Sequence, residues 1–420
     1  MPITDIAVTA IDNFADANEF GTAGPYLRVR GTARGALDPA APENAGIVDL
    51  DKTPPNASGL VEYATDFDLL RPEQPQRGSG ILVYDVPNRG SKRIFNLIDD
   101  VPANDPARTN DPKTREDAGL GFCLGRGYSL LWSGWDPGAP RANNGLGADF
   151  PAAIEDGKPI VRRVRDEFHI GTRAPGDGGS RRLSYPAAGL DKSTARLTVR
   201  SREAEARVEI PADEWEFVDE RTIRLLPDGR KFEPFRIYDC WYEAVGAKVL
   251  GIGYASVRDL VSLARYDRPA GGGTGNPLFA GDAEIRHALA FGVSQSGRFL
   301  RHFLELGMNA DVEGRRVFDG VFSHVAGAGK VFANHSFGMP GRTATQHEDR
   351  LYPENWFPFS TAHTRDPFTG GAGALLTGGS TDPLVIETNT STEYWQKGAA
   401  LVHTDPATGV DIDLPAKARV

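Results

Sequence analysis

The sequence predicts an α/β fold: a mostly parallel sheet flanked by helices, with an inserted β-rich subdomain and an antiparallel β region at the N-terminus. Three observations carry this. Short apolar runs at Ile81–Val86, Tyr128–Trp135 and His287–Phe291 have the character of strands buried on both faces. Val257, Leu260, Val261 and Ala264, and further on Phe299, Leu300, Phe303 and Leu304, recur at the spacing of one helix face. From about Asp149 to Asp239 the segments are short, alternating and rich in charge, with no helical period.

The sharpest local signal is Ala288–Leu306. The apolar run up to Phe291 is a strand, Gly292 to Gly297 is a tight turn, and a helix follows from Arg298 toward Gly307, which is placed for its C-terminus. A serine on such a turn is forced out of both flanking elements, so its hydroxyl stands above the sheet edge. This is the nucleophile elbow of the α/β-hydrolase fold, usually Gly-x-Ser-x-Gly. Here it is Gly292-Val293-Ser294-Gln295-Ser296-Gly297, with the last glycine one place late. Centring on Ser294 keeps Gly292 two residues before the nucleophile, whereas centring on Ser296 brings in Ser294 before and bulky Arg298 after. Ser294 is therefore the expected nucleophile.

A chain of 420 residues accommodates one large α/β domain with an insertion. The net charge of −10 argues against nucleic acid and against an anionic membrane surface. Cys123 and Cys240 cannot form a disulfide framework, and no Cys/His spacing suggests a metal site. No segment has the roughly 20 apolar residues of a membrane helix, and Met1–Phe20 has no apolar core of a signal peptide. A cytoplasmic protein acting on a small-molecule ester, without cofactor or metal, is expected.

Taken in order, three parts are expected: residues 1–148 and 240–420 form the hydrolase domain, and 149–239 the inserted subdomain. Tyr26–Arg30 and Leu60–Leu70 alternate as strands, separated by the breaks at Asp38–Pro42 and Thr53–Asn56. Ile81–Val86 ends at Pro87-Asn88-Arg89-Gly90, a turn placed to give the second oxyanion donor. An amide at Arg89 or Gly90, together with that of Gln295, could hold the charge developing on a carbonyl oxygen; the other reading is a plain turn. Trp132 and Trp135 are core or pocket wall. Ile160–Val164, Ala195–Val199, Val208–Ile210 and Thr222–Leu226 are expected strands of the insertion, the last closing on a hairpin turn at Asp228-Gly229. The helix Tyr254–Arg265 is stopped by Pro269, and the glycines of 270–275 follow a helix rather than a strand, against a dinucleotide site. Val317–Ala326 is a further strand. The irregular stretch to about residue 372 has the length of pocket-bearing loops, and its His335, His347 and His363 are expected to pack in loops or at the surface. Leu384–Ile386 is the next strand.

Asn88-Arg89-Gly90, the run from Gly292 to Phe299, Gly251–Asp259 and Asn389-Thr390-Ser391-Thr392-Glu393-Tyr394-Trp395 resemble the bacterial "alpha/beta hydrolase domain" family of uncharacterised esterases. The similarity covers nearly the whole chain and implies Ser294 as nucleophile and Glu393 as triad acid. Glu393 is preferred to Asp382, which precedes its strand, and to Glu387, which still lies in it. More distantly the elbow is similar to that of glucuronoyl esterases, which carry arginine where this chain has Gln295. In this fold the triad histidine follows the final strand. His403 is the only histidine beyond Glu393, and a straight helix from Glu393 would carry it about 15 Å away over ten residues. Asp413–Val420 looks like the start of the final strand, so the chain is expected to be truncated before that strand and the histidine loop. The expected activity is that of a serine hydrolase of carboxylic esters. The alternative is a catalytically silent hydrolase-fold protein that binds a small ligand or partner.

Overall fold

The computed structural model describes residues 2–103, 105–170, 178–267, 276, 278–279, 284–341 and 354–420. Pro269, the glycine loop 270–275, His347 and Pro353 lie outside the described residues. The main sheet is built from β1 (Ile3–Phe14), β2 (Tyr26–Leu37), β3 (Val61–Pro72), β4 (Ile81–Asp85), β5 (Ser129–Ser133), β6 (His287–Val293), β7 (Gly320–His324), β8 (Leu384–Thr388) and β9 (Ala418–Arg419). Their spatial order is β1-β2-β3-β5-β4-β6-β7-β8-β9. The first three strands and the β3/β5 pair are antiparallel, and every pair from β5/β4 onward is parallel. This is the α/β-hydrolase fold. The two-residue β9 pairs in parallel with Val385 and Ile386 at the edge of the sheet.

The continuous apolar runs have the reason anticipated for them. Leu82, Tyr84, Leu131, Ala288 and Ala290 face one core, while Val83, Leu130, Trp132 and Phe291 face the other, so alternate residues of one strand are buried on opposite sides. The two long helices, α1 (Ile252–Tyr266) and α2 (Gln295–Glu305), pack on the first side. The second side is covered by short helices and turns such as Ile94–Leu97 and Phe122–Gly125. α1 ends at Tyr266, with Asp267 as its C-cap. Trp132 and Trp135 are core, their indole N–H groups donating to Asp85 at 2.6 Å and to the Pro87 carbonyl at 2.7 Å. Cys123 and Cys240 are buried free thiols.

The stretch after β5 holds three small antiparallel sheets. One is ordered Val208–Ile210, Arg196–Arg200, Ile237–Ala244, Arg162–His169; another is Ser180–Arg182, Thr222–Leu225, Trp215–Asp219; the smallest pairs Ile154–Glu155 with Lys158–Pro159. The boundary expected at Asp239 falls inside a strand. The hairpin turn is also elsewhere: Thr222–Leu225 pairs back onto Trp215–Asp219 through Glu220 and Arg221, and Asp228-Gly229 leads out of the sheet. Apolar side chains of the insertion, among them Leu197, Trp215 and Ile223, join the core cluster that contains α1 and α2.

Candidate active site

β6 ends at Val293 and α2 begins at Gln295, so Ser294 is the whole of the joint. Its φ of 55° and ψ of −110° lie in a region that side-chain-bearing residues rarely adopt, which costs about 1–3 kcal/mol. What holds it there is local. The Ser294 amide donates to the His324 carbonyl on the neighbouring β7 at 2.8 Å. A Cβ on Gly292 would lie 2.6 Å from the carbonyl carbon of Ser296 and 2.9 Å from the Gly297 amide, so only glycine fits. A Cβ on Gly297 would come within 3.0 Å of Ser323 Oγ and 3.1 Å of Ala326 Cβ, which explains why small residues are needed late in the motif.

The two serines of the turn differ sharply. Ser296 is fully buried, its hydroxyl donating to the Val293 carbonyl at 2.9 Å and accepting the Val293 amide at 3.1 Å. Ser294 is half-buried, and its hydroxyl has no partner among the described residues.

Gln295 and the Asn88–Gly90 loop meet beside it. Asn88 Nδ2 donates to the Val293 carbonyl at 2.8 Å, and Gln295 Nε2 donates to the Pro340 carbonyl at 2.6 Å. Gln295 Oε1 accepts the Arg89 amide at 3.2 Å, which corrects one expectation: that amide is engaged by a side chain rather than presented to a ligand. The amides of Gly90 (φ 81°) and Gln295, the latter at the first position of α2, have no partner among the described residues.

Glu393 stands in α3 (Ser391–Gln396), just past β8, on the same strand-end edge as Ser294. Its Oε2 accepts from the Thr390 amide at 2.9 Å and from the Thr390 hydroxyl, forming a capping box. Its sequence rivals are held elsewhere: Glu387 is buried against Arg301, and Asp382 accepts from Thr377 and Gly378.

Among the described residues no histidine ring nitrogen is hydrogen-bonded to Ser294 or Glu393. His324 Nδ1 pairs with Thr388 Oγ1 at 2.8 Å, and His302 Nδ1 with the Tyr254 hydroxyl at 2.8 Å. The straight helix expected beyond Glu393 is not formed. α3 stops at Gln396, and Gly398 at φ 60° turns the chain, so His403 folds back to the Tyr394 hydroxyl at 2.8 Å and to Asp411 at 3.1 Å.

A cavity of about 600 Å³ opens between the insertion and the hydrolase core, lined by Asp136, Tyr185, Lys248, Gly338 and Pro340 among others. Ser294 is not on its wall; the connection is the Gln295–Pro340 hydrogen bond. Tyr185 ties the wall together, its hydroxyl donating to the Gly338 carbonyl and its ring packing on Phe337 at 5.0 Å. Burial raises the Asp136 carboxyl to about 6, against the amide of Gly138 and the charge of Arg89. Asp136, Tyr185 and Arg298 were not singled out by sequence reasoning. Arg298 carried a signal, a charge one turn into a helix otherwise read as core-facing.

Glu167 and His169, two apart on the strand Arg162–His169, and Glu203, in the turn after Arg196–Arg200, bring one ligand atom each within 4.8 Å of one another. Glu167 is already engaged within this cluster, by His169 at 2.7 Å, Arg165 at 3.4 Å and Arg200 at 3.6 Å.

A serine on a strained strand-to-helix joint, at the C-terminal edge of a parallel sheet of this order, is the arrangement found in the α/β-hydrolase fold. Residues 204–407 match the family model described as alpha/beta hydrolase domain, a stretch that runs from inside the insertion through α1, the elbow and β8 to beyond Glu393. The resemblance drawn from the motifs is thus shown for that stretch, and it points to a hydrolase. No curated protein and no solved structure matches the chain, and the more distant likeness to glucuronoyl esterases gains no support. No helix among the described residues is long and apolar enough to cross a membrane.

Proposed function

We propose that this is a serine hydrolase of carboxylic esters in which Ser294 attacks the acyl carbon. The observation that carries the reading is the pair φ 55°, ψ −110° at Ser294, a conformation held by its neighbours, with the hydroxyl left unengaged. The amides of Gln295 and Gly90 converge as donors for the oxyanion of the tetrahedral intermediate. Collapse of that intermediate releases the alcohol with the serine's proton and leaves an acyl-enzyme; water then releases the acid and restores Ser294. Glu393 is the acid of the constellation, its position just beyond β8 being the one the fold uses. The cavity beside Gln295 takes part of a small-molecule ester.

A fluorophosphonate tests this directly. The adduct is expected on Ser294 by mass spectrometry, absent in Ser294→Ala and retained in Ser296→Ala; an adduct on Ser296 would overturn the assignment. The lack of a hydrogen-bonded imidazole at Ser294 among the described residues favours a second reading, a hydrolase-fold protein that binds a small ligand without turning it over. A burst of acyl-enzyme with an activated ester separates the two, since a binder gives none.

A further inference from the structure

Arg298 is unused by this chemistry. It stands one turn into α2, its amide donating to the Ser294 carbonyl at 2.9 Å, and it is 3% exposed. A guanidinium offers five N–H donors, and other buried arginines show how that demand is met. Arg301 reaches Glu387 and the carbonyls of Ala328, Gly329 and Phe359. Arg258 reaches Asp259 at 2.8 Å, Asn44 at 2.9 Å and the Glu43 carbonyl at 3.0 Å. The Arg298 guanidinium makes no hydrogen bond or ion pair with a described residue, and its Nε is sealed from solvent without a partner. A buried cation is expensive to leave so.

Its surroundings show where it points. Helix side chains lean toward the N-terminus, which carries Arg298 back over the turn that holds Ser294. A Cβ on Gly329, in the loop after β7, would lie 3.3 Å from its Cδ. Beyond burial, the charges that act on it are Glu354, Arg89 and Glu393, from segments gathered at the C-terminal ends of the parallel strands. That edge is where open α/β sheets bind ligands. The Arg89 side chain is likewise without an ion pair to a described residue. Of the two acids, Glu393 is turned onto Thr390, and Glu354 forms no ion pair with either arginine. With these acids nearby, a singly charged planar carboxylate suits the guanidinium fork better than a doubly charged phosphate.

We propose that Arg298 binds a carboxylate of the substrate, with Arg89 as an outer second cation, so that the ester opened at Ser294 carries a carboxylate on its acyl or its alcohol side. This deepens the reading of Ser294 as nucleophile and rests on it. One helical turn, about 5.4 Å, separates the two residues, so the carboxylate lies only a few bonds from the reacting carbonyl.

Two matched pairs of activated esters test it. Mono-4-nitrophenyl succinate against its methyl ester places the charge on the acyl side; 4-acetoxybenzoate against 4-acetoxybenzamide places it on the leaving side. In the full chain kcat/KM is expected to favour the charged member of one pair by about tenfold or more. Arg298→Gln should bring that ratio to about one, and Arg298→Lys should retain part of it, which guards against a variant that merely unfolds. Turnover of both neutral esters with no preference for charge in either pair would overturn the inference and leave the serine hydrolase standing. If no ester is turned over and Ser294 takes no label, calorimetric binding of succinate decides: binding by the native chain that Arg298→Gln abolishes supports the carboxylate site, and absent or unchanged binding overturns it.

Discussion

Around α2 the chain buries charge in separate pairs: Arg301 with Glu387, Lys330 with Glu305 at 2.9 Å, Arg258 with Asp259 at 2.8 Å. In the four-stranded sheet of the insertion it does so as a lattice. Glu167 and Asp239 face one another directly in register, a like-charge contact that is unfavourable by itself. Arg165 and Arg200 each reach both acids, at 3.3 to 3.6 Å, and all four side chains are buried. The contrast teaches a division of labour. Pairs can be placed one at a time beneath an apolar layer and leave the strand ends free for chemistry, whereas a lattice fixes the register of short strands by matching acids and cations across them.

If the division holds, changes at the strand-end edge remove chemistry, and changes in the lattice remove folding. The largest effect is expected from Ser294→Ala, which should abolish labelling and reduce esterase turnover by several orders of magnitude with the melting curve unchanged, as subtilisin-type triads do. Glu393→Gln comes next. Glutamine still serves the capping box, so stability should move by less than about 0.5 kcal/mol, while in a complete, active homologue whose histidine meets this acid turnover falls about a thousandfold or more. Unchanged turnover would reduce Glu393 to a helix cap. On the other side of the comparison, Arg200→Met leaves the two facing acids with one cation fewer and should cost about 3–5 kcal/mol in chemical denaturation. A loss below about 1 kcal/mol would break the contrast between lattice and pairs.

The smallest effect is a pH slope from the core. Burial, with the charges of Lys330 and His335 behind it, lowers His302 from 6.5 to about 3. The unfolded chain then binds more protons than the folded one between those values. This stability is present above pH 6.5 and is lost as pH falls toward 3, by at most about 1.4 kcal/mol per pH unit. His302→Gln should flatten that part of the profile, read as the denaturation midpoint at pH 7 and pH 5.

How much was legible beforehand follows the same division. β4, β5 and β6 are apolar because both sides of the sheet are covered, and Gly292 is demanded by overlap with the backbone of Ser296 and Gly297; both signals sit within a few residues and can be read from the chain. The hairpin turn of the insertion was misplaced because Asp228-Gly229 carries the glycine signal of a turn, whereas the residues that make it, Glu220 and Arg221, carry none. Arg89 was assigned an oxyanion role from its place in a turn, and only the reach of Gln295 across from α2 shows that its amide is engaged. His403 was set far from Glu393 by assuming an unbroken helix, which Gly398 breaks.

By itself, then, the sequence determined the order of strands and helices and the tight joint at Ser294, because periodicity and glycine act over a few residues. What only tertiary structure decided is which polar groups end with partners. Ser296 is engaged and Ser294 is not, and Arg301 is met by Glu387 while Arg298 stands open. Hydrogen bonding of a buried side chain depends on groups brought from distant segments, and no local pattern records whether one has arrived.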